Sequence, residues 1–255
     1  RLATVLKKFN CPVLTMSYKS AEIAKISINS ILTSQISTTN MLSTLCESIG
    51  ADWSEIVPAL RLDKRIGKKA YLKPGLGLAG GNLERDLSVL DDLTAHYKIE
   101  NTQIKGWLKT SNIQKNWLHR KFSSLDLDKR QDPKVAVLGL AYKENTNSIR
   151  NSSAIHFLNQ IREYNVYVHD PVVKLFNISW LRQVDNSTEA LKNADVLIIA
   201  TPWPEYQNLK LKTLLSLMKR PIIIDPSSLL SNQNPSKYGF KWIRLGTTKH
   251  SESDT

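Results

Sequence analysis

The chain has 255 residues, 41% hydrophobic and 23% charged, and carries a formal net charge of +12. That length suits two ordinary domains, and the apolar content is enough for real cores. The positive charge suits an anionic partner such as nucleic acid, acidic lipid or a phosphorylated small molecule. Lysines and arginines are spread along the chain, however, with no basic block interleaved with aromatics, no zinc-finger spacing and no basic heptads, which speaks against nucleic acid. The two cysteines, Cys11 and Cys46, form no CxxC pair and have no histidine at metal-ligand spacing, so no metal site is expected and a reducing, cytoplasmic setting is. No apolar run approaches the ~18 residues of a membrane span.

In chain order, Arg1 to Lys8 opens as an amphipathic helix without the features of a signal peptide. Pro12-Val13-Leu14-Thr15-Met16 reads as a short strand with nothing nearby to pair against. Residues 1–17 are therefore expected to be the end of a preceding α/β domain, with the first residue lying inside a longer protein.

A long helix is predicted from Ser20, its cap, to about Ile49, with Gly50 as its stop. Apolar residues occupy most of its circumference, which predicts burial. One polar file, Glu22, Lys25, Asn29 and Thr33 followed by Asn40, shares a face. A lysine in a buried helix is costly unless paired or functional. The plain alternative is an internal Glu22–Lys25 ion pair.

Asp52-Trp53-Ser54-Glu55 opens a short helix. The turn Asp63-Lys64-Arg65-Ile66-Gly67 then leads to the densest glycine cluster, where Gly75, Gly77, Gly80 and Gly81 account for four of the ten glycines. Clustered glycines offer bare N–H groups to oxyanions or let a ligand approach closely. A helix follows from Leu83 to Tyr97, so the loop ends at a helix N-terminus that favours an anion. A further helix is predicted over 102–122, with Trp107 and Trp117 in a stripe that reads as core, and residues 123–134 read as a polar linker.

The second half changes period. Runs at 135–140, 166–170, 196–200 and 222–225, with a last short strand at 241–245, are apolar and β-branched, and helical stretches at about 152–164, 187–194 and 205–218 separate the first four. This pattern predicts a parallel, doubly wound α/β sheet whose ligands bind at the strands' carboxyl ends. Only one glycine, Gly139, follows the first strand, so no complete dinucleotide fingerprint is present. Residues after Leu245 are expected to be a frayed polar tail. The five histidines form no catalytic constellation.

Taken in order, these motifs resemble the UDP-glucose/GDP-mannose dehydrogenases. The match runs through Ser20-Ala21-Glu22-Ile23-Ala24-Lys25 with Asn29, Leu45 to Asp52, Asp63 to Gly67 and the glycine loop ending in Arg85-Asp86. It continues through Gly139 to Thr146 with Arg150, Asp170-Pro171, and Thr201-Pro202-Trp203. The resemblance implies NAD-dependent, four-electron oxidation of a UDP- or GDP-sugar to a uronate by a homodimer. It divides the chain into a remnant of an NAD-binding domain (1–17), an all-helical dimerisation domain (18–122), a linker (123–134) and a sugar-nucleotide domain (135–255). The main NAD-binding domain would lie outside this chain.

The resemblance also implies roles for individual residues. Lys25 and Asn29 would stabilise oxyanions, and Asp86 would handle water. Arg65 would reach a partner's substrate, Gly75, Gly77, Gly80, Gly81 and Lys143 would contact the substrate, and Arg150 would face NAD.

The departures are specific. The family's loop ends Gly-Gly-Ser-Cys-x-Pro-Lys-Asp, with the cysteine as nucleophile, whereas this chain reads Gly80-Gly81-Asn82-Leu83-Glu84-Arg85-Asp86. Aligning on the acid puts Asn82 at the cysteine, and aligning on the glycines puts Leu83 there. Arg85 replaces the lysine before the acid, Ser227 an arginine after the fifth strand, and Gln35 a further lysine on the long helix. The expectation is a family member with impaired uronate formation. The alternative is a non-catalytic module that binds sugar nucleotide or only oligomerises.

Overall fold

The computed structural model describes residues 5–176 and 178–248. The expectations for residues 1–4 and for the polar tail over 249–255 lie outside them. The first half is helical: α1 (Tyr18–Ile49), α2 (Trp53–Leu62), α3 (Asn82–His96), α4 (Thr102–Lys115) and α5 (Trp117–Ser123). Residues 12–16 form no strand, and Leu14 is 78% exposed, because no neighbouring strand offers partners for their backbone groups.

The cap of α1 is Ser17 rather than Ser20. The Ser17 side chain accepts the Ser20 N–H, and Gly50 closes the helix at φ 77°. The burial of α1 is the reverse of that expected from its apolar content. Ile23, Ile28, Ile31, Met41, Leu45 and Ile49 are exposed, whereas Thr33, Ser37, Thr39, Asn40 and Ser43 are buried. The reason is the irregular segment that packs on the polar face. Thr39 Oγ1 donates to the Tyr71 carbonyl, Tyr71 N–H donates to Gln35 Oε1 and Gly75 N–H to Asn40 Oδ1. Chain outside helices and strands must have its backbone groups satisfied by other means, and here the helix supplies them.

The helix expected over 102–122 breaks at Asn116. Trp117, Leu118 and Phe122 on α5 join the core of the sheet, while Leu78, Leu87 and Ile104 make a smaller core among the helices. In the segment read as a linker, Leu125 and Leu127 pack on the sheet core and Lys129–Gln131 forms a 3-10 turn.

The sheet contains β1 (Lys134–Leu138), β2 (Asn165–His169), β3 (Leu181–Gln183), β4 (Val196–Ile199), β5 (Ile222–Ile224) and β6 (Lys241–Ile243), all parallel, in the order β3-β2-β1-β4-β5-β6. β3 was not anticipated, since three residues with an arginine at the centre carry no strand pattern. The helices α6 (Ser153–Leu158), α7 (Ser187–Leu191), α8 (Pro204–Gln207) and α9 (Leu211–Leu217) are shorter than expected. The doubly wound order reverses between β1 and β4, which opens a crevice at their carboxyl ends. Among the described residues no helix is long and apolar enough to cross a membrane.

Candidate active site

Asp86 is the centre of a charged cluster at the start of α3. Its Oδ2 accepts from Asn29 Nδ2 at 2.5 Å and lies 3.9 Å from Lys25 Nζ, and its Oδ1 pairs with Arg85 Nη2 at 3.0 Å. The i, i+4 spacing of Lys25 and Asn29 on α1 puts both side chains on the face toward α3. Lys25 therefore pairs across helices with Asp86, and the alternative Glu22–Lys25 pair is not formed among the described residues. Burial alone would raise the Asp86 carboxyl. Hydrogen bonds from Asn29 and Arg85, with the charges of Arg85 and Lys25, outweigh it and hold the group below its ordinary value. The result is an ionised carboxylate beside an ammonium whose side chain is 68% exposed.

The glycine loop is more tightly held than an open anion cradle. Gly75 N–H is taken by Asn40, Leu78 N–H by Ser111 Oγ, and Gly80 N–H by the Arg150 carbonyl. Protein fills the space beside three of its glycines: the Ser111 carbonyl at Gly77, the Tyr142 ring at Gly80 and the Arg150 side chain at Gly81. Much of the need for glycine here is thus close packing against α4 and the loop after β1. Asn151 Nδ2 also donates to the Gly80 carbonyl, and Ser153 Oγ to that of Leu76, latching the loop to the sheet. At Gly81, the N-cap of α3, no side chain caps the first turn.

Between this loop and the crevice of the sheet lies a cleft of about 240 Å³. Gly75, Gly77, Lys73 and Pro74 line one wall, and Tyr142, Lys143, Ser153, Pro202, Pro226 and Ser227 line the others. The β1 side is braced from beneath. Asp170 Oδ2 accepts from the N–H groups of Leu140 and Ala141 and from Trp203 Nε1, while Thr201 Oγ1 donates to the Ala141 carbonyl. The Asp170-Pro171 and Thr201-Pro202-Trp203 motifs thus hold the turn that presents Lys143.

Gly75, Gly77 and Lys143 meet at this cleft, Gly80, Gly81 and Arg150 meet at its edge, and Lys25, Asn29 and Asp86 form the separate cluster on the helices. Arg65 lines neither cleft nor cluster; it is exposed and bound to Asp63 at 2.6 Å. Sequence reading missed Lys73, Tyr142, Ser153 and Pro226. Lys73-Pro74, directly before the glycines, and Tyr142, inside the Gly139 to Thr146 motif, carried a local signal. At the two positions weighed for a nucleophile, Asn82 is exposed and Leu83 packs into the helical core. Cys46 is buried on α1, and burial pushes its thiol up, away from the thiolate needed for chemistry.

The turn after β1 does not fit the pyrophosphate of NAD. It reads Gly139-Leu140-Ala141-Tyr142, and Thr201 fills the space beside Gly139, where an added Cβ would lie 2.4 Å from the Thr201 Cβ. In a dinucleotide turn the second glycine lets the backbone approach the pyrophosphate and the third allows close helix–strand packing, and here those positions are Ala141 and Glu144.

A helical unit leaning on a doubly wound sheet, with a cleft at the carboxyl ends of its strands, defines an α/β protein whose cleft lies where open sheets of this kind bind their ligands. Residues 19–112 match the model for the central domain of the UDP-glucose/GDP-mannose dehydrogenase family, and residues 136–232 match that family's UDP-binding domain. The chain belongs to this family. It is 29% identical over 257 residues to UDP-glucose 6-dehydrogenase of Rickettsia prowazekii, covering 95% of this chain and 59% of the relative. It is also 29% identical to UDP-glucose 6-dehydrogenase TuaD of Bacillus subtilis, covering 93% of this chain and 52% of that one. Among solved structures, a UDP-glucose dehydrogenase from Pyrobaculum islandicum superposes with a TM-score of 0.74 at 26% identity, over 92% of this chain and 52% of its own. The chain thus spans little more than half the length of these relatives.

Proposed function

We propose that this chain supplies the helical and sugar-nucleotide-binding parts of an NAD-dependent nucleotide-sugar 6-dehydrogenase whose uronate-forming chemistry is impaired. A UDP- or GDP-hexose is the ligand. The observation that carries this reading is the pairing of an intact cleft and charged cluster with Asn82 and Leu83 where a nucleophile would stand. Lys143 offers a cation to the ligand's phosphates in the cleft. The Lys25 ammonium steadies negative charge developing on a substrate oxygen. Asp86, ionised and oriented by Asn29, accepts a proton from water or from the alcohol. Neither an amide nor an alkyl side chain forms the covalent adduct through which a thiol would carry an aldehyde to the acid. NAD is the cofactor of this reading, and Arg150 is the residue of this chain that would face it. Homodimer assembly through the exposed apolar face of α1 and a cytoplasmic setting belong to the same reading, as do domain limits at 17, 122 and 134.

The test is oxidation of a panel of UDP- and GDP-sugars by the full-length protein, followed by NADH absorbance. One NADH per sugar, or none, is expected, and two per sugar would overturn the impairment. The second reading, a non-catalytic sugar-nucleotide binder, is favoured by the same Asn82 and Leu83. No turnover together with a raised melting temperature in UDP or GDP would establish it, because a ligand bound only by the native state must stabilise it.

A further inference from the structure

A second cleft, also of about 240 Å³, adjoins the first, and the two share Lys73, Pro74, Pro226, Ser227 and Leu245 as lining. Its other walls come from the start of α2 (Asp52, Trp53 and Ser54), from Arg61 near the end of that helix, and from Arg244 and Thr247 beyond β6. Nothing in the family-like motifs of the sequence pointed to Arg61 or Arg244.

The guanidinium of Arg244 stacks over Trp242 with 4.1 Å to the ring centroid, and its Nε is buried without a hydrogen-bond partner. Asp52 and Asp225 influence it electrostatically, yet among the described residues no carboxylate lies within ion-pair distance. Asp52 is engaged instead by the N–H and hydroxyl of Ser54, and Asp225 by Ser227 and the Leu230 N–H. The buried Nε is closed off from the cleft, so the two Nη groups, which carry no hydrogen bond among the described residues, are the ones that can meet an acceptor there. The planar fork of arginine matches phosphate in two-point geometry, and Lys73 and Arg61 add charge suited to a dianion. The apolar lining of Val57, Leu72, Pro74 and Pro226 would take the remainder of such a molecule.

We propose that the second cleft is a phosphate-binding site in which Arg244, assisted by Lys73 and Arg61, holds a phosphoryl group. The phosphate belongs either to the molecule in the first cleft, reaching across the shared wall, or to a separate phosphate-bearing molecule. This inference stands on the cleft alone and does not need the chain to oxidise a sugar.

Calorimetric titration of the protein with inorganic pyrophosphate and with UDP tests it, using wild type, Arg244→Ala, Arg61→Ala and Lys143→Ala. Arg244→Ala should weaken pyrophosphate binding at least about tenfold, the scale of one charge-assisted hydrogen bond. Arg61→Ala, at an exposed position whose one hydrogen bond among the described residues is to the carbonyl of the exposed Lys68, should weaken it by a smaller factor with only a small fall in melting temperature. If Arg244→Ala and Lys143→Ala weaken one and the same UDP event, a single ligand spans both clefts. If Lys143→Ala spares the Arg244-dependent event, the phosphate comes from a separate molecule. Pyrophosphate that fails to bind wild type, or binds Arg244→Ala and Arg61→Ala with wild-type affinity, overturns the proposal. So does an Arg61→Ala result at wild-type affinity if Arg244→Ala does not fold.

Discussion

Asn29 on α1 donates a 2.5 Å hydrogen bond to Asp86 on α3, across 57 residues of chain. That bond makes one helix set the ionisation of a group on another. Replacing Asn29 by Ala removes a donor that stabilises the charged form, so the Asp86 pKa should rise toward its ordinary value. A side-chain carboxyl titration by NMR measures this directly, and an unmoved pKa would show that Arg85 and Lys25 suffice.

The same shift has a consequence for stability. The folded-state pKa of Asp86 is depressed below its ordinary 3.8. Its contribution is therefore fully present above that value and is lost as pH falls through the folded-state pKa. Urea unfolding of wild type and Asp86→Asn at pH 6 and at pH 3 should show the stability gap narrowing at the lower pH. A gap that widens on acidification would contradict the assigned direction.

Glu47 joins the helical half to the sheet. It accepts from Trp117 Nε1 at 3.0 Å and from Gly246 N–H at 2.9 Å, and pairs with Lys121 at 2.8 Å. Glu47→Ala leaves a buried indole N–H and a partly buried ammonium without partners, a loss of about 3–5 kcal/mol on the scale of broken buried pairs. Denaturant unfolding reads it, and a loss under ~1 kcal/mol would mean that water replaces the carboxylate well.

Two glycines of one loop should respond differently. Gly77 sits at φ +85° with the Ser111 carbonyl 2.6 Å from where a Cβ would lie, whereas Gly75 has no atom within 4 Å of that point. Gly77→Ala should cost about 1–3 kcal/mol and lower the melting temperature, since it adds strain to a clash. Gly75→Ala should stay within about 0.5 kcal/mol of wild type. Equal melting temperatures for the two would be incompatible with this packing.

The exposed file on α1 gives the assembly prediction. Ile31 and Met41 are 60% and 56% exposed. A charge at either position should convert the proposed dimer to monomer in light scattering coupled to size exclusion, with helicity by circular dichroism unchanged. Wild type that already runs as a monomer would remove this part of the proposal.

What the sequence determined by itself was set by short-range chemistry. The short apolar β-branched runs at 135–140 and 196–200, alternating with helical stretches, read as strands covered on both faces, and Gly50 and Asp52 mark helix ends because their backbone roles are local. The same locality made the family legible, since each motif keeps its residues close together in the chain. Tertiary structure alone decided which face of α1 is buried, because that depends on the irregular segment at 71–75 and its need for side-chain partners from Gln35, Thr39 and Asn40. It also decided that Lys25 pairs with Asp86 rather than Glu22, and that Trp117 leaves the helical stripe for the sheet core. Above all, it placed Arg244 in one cleft with Lys73 and Arg61, which lie far from it in the chain, and no local pattern encodes that meeting.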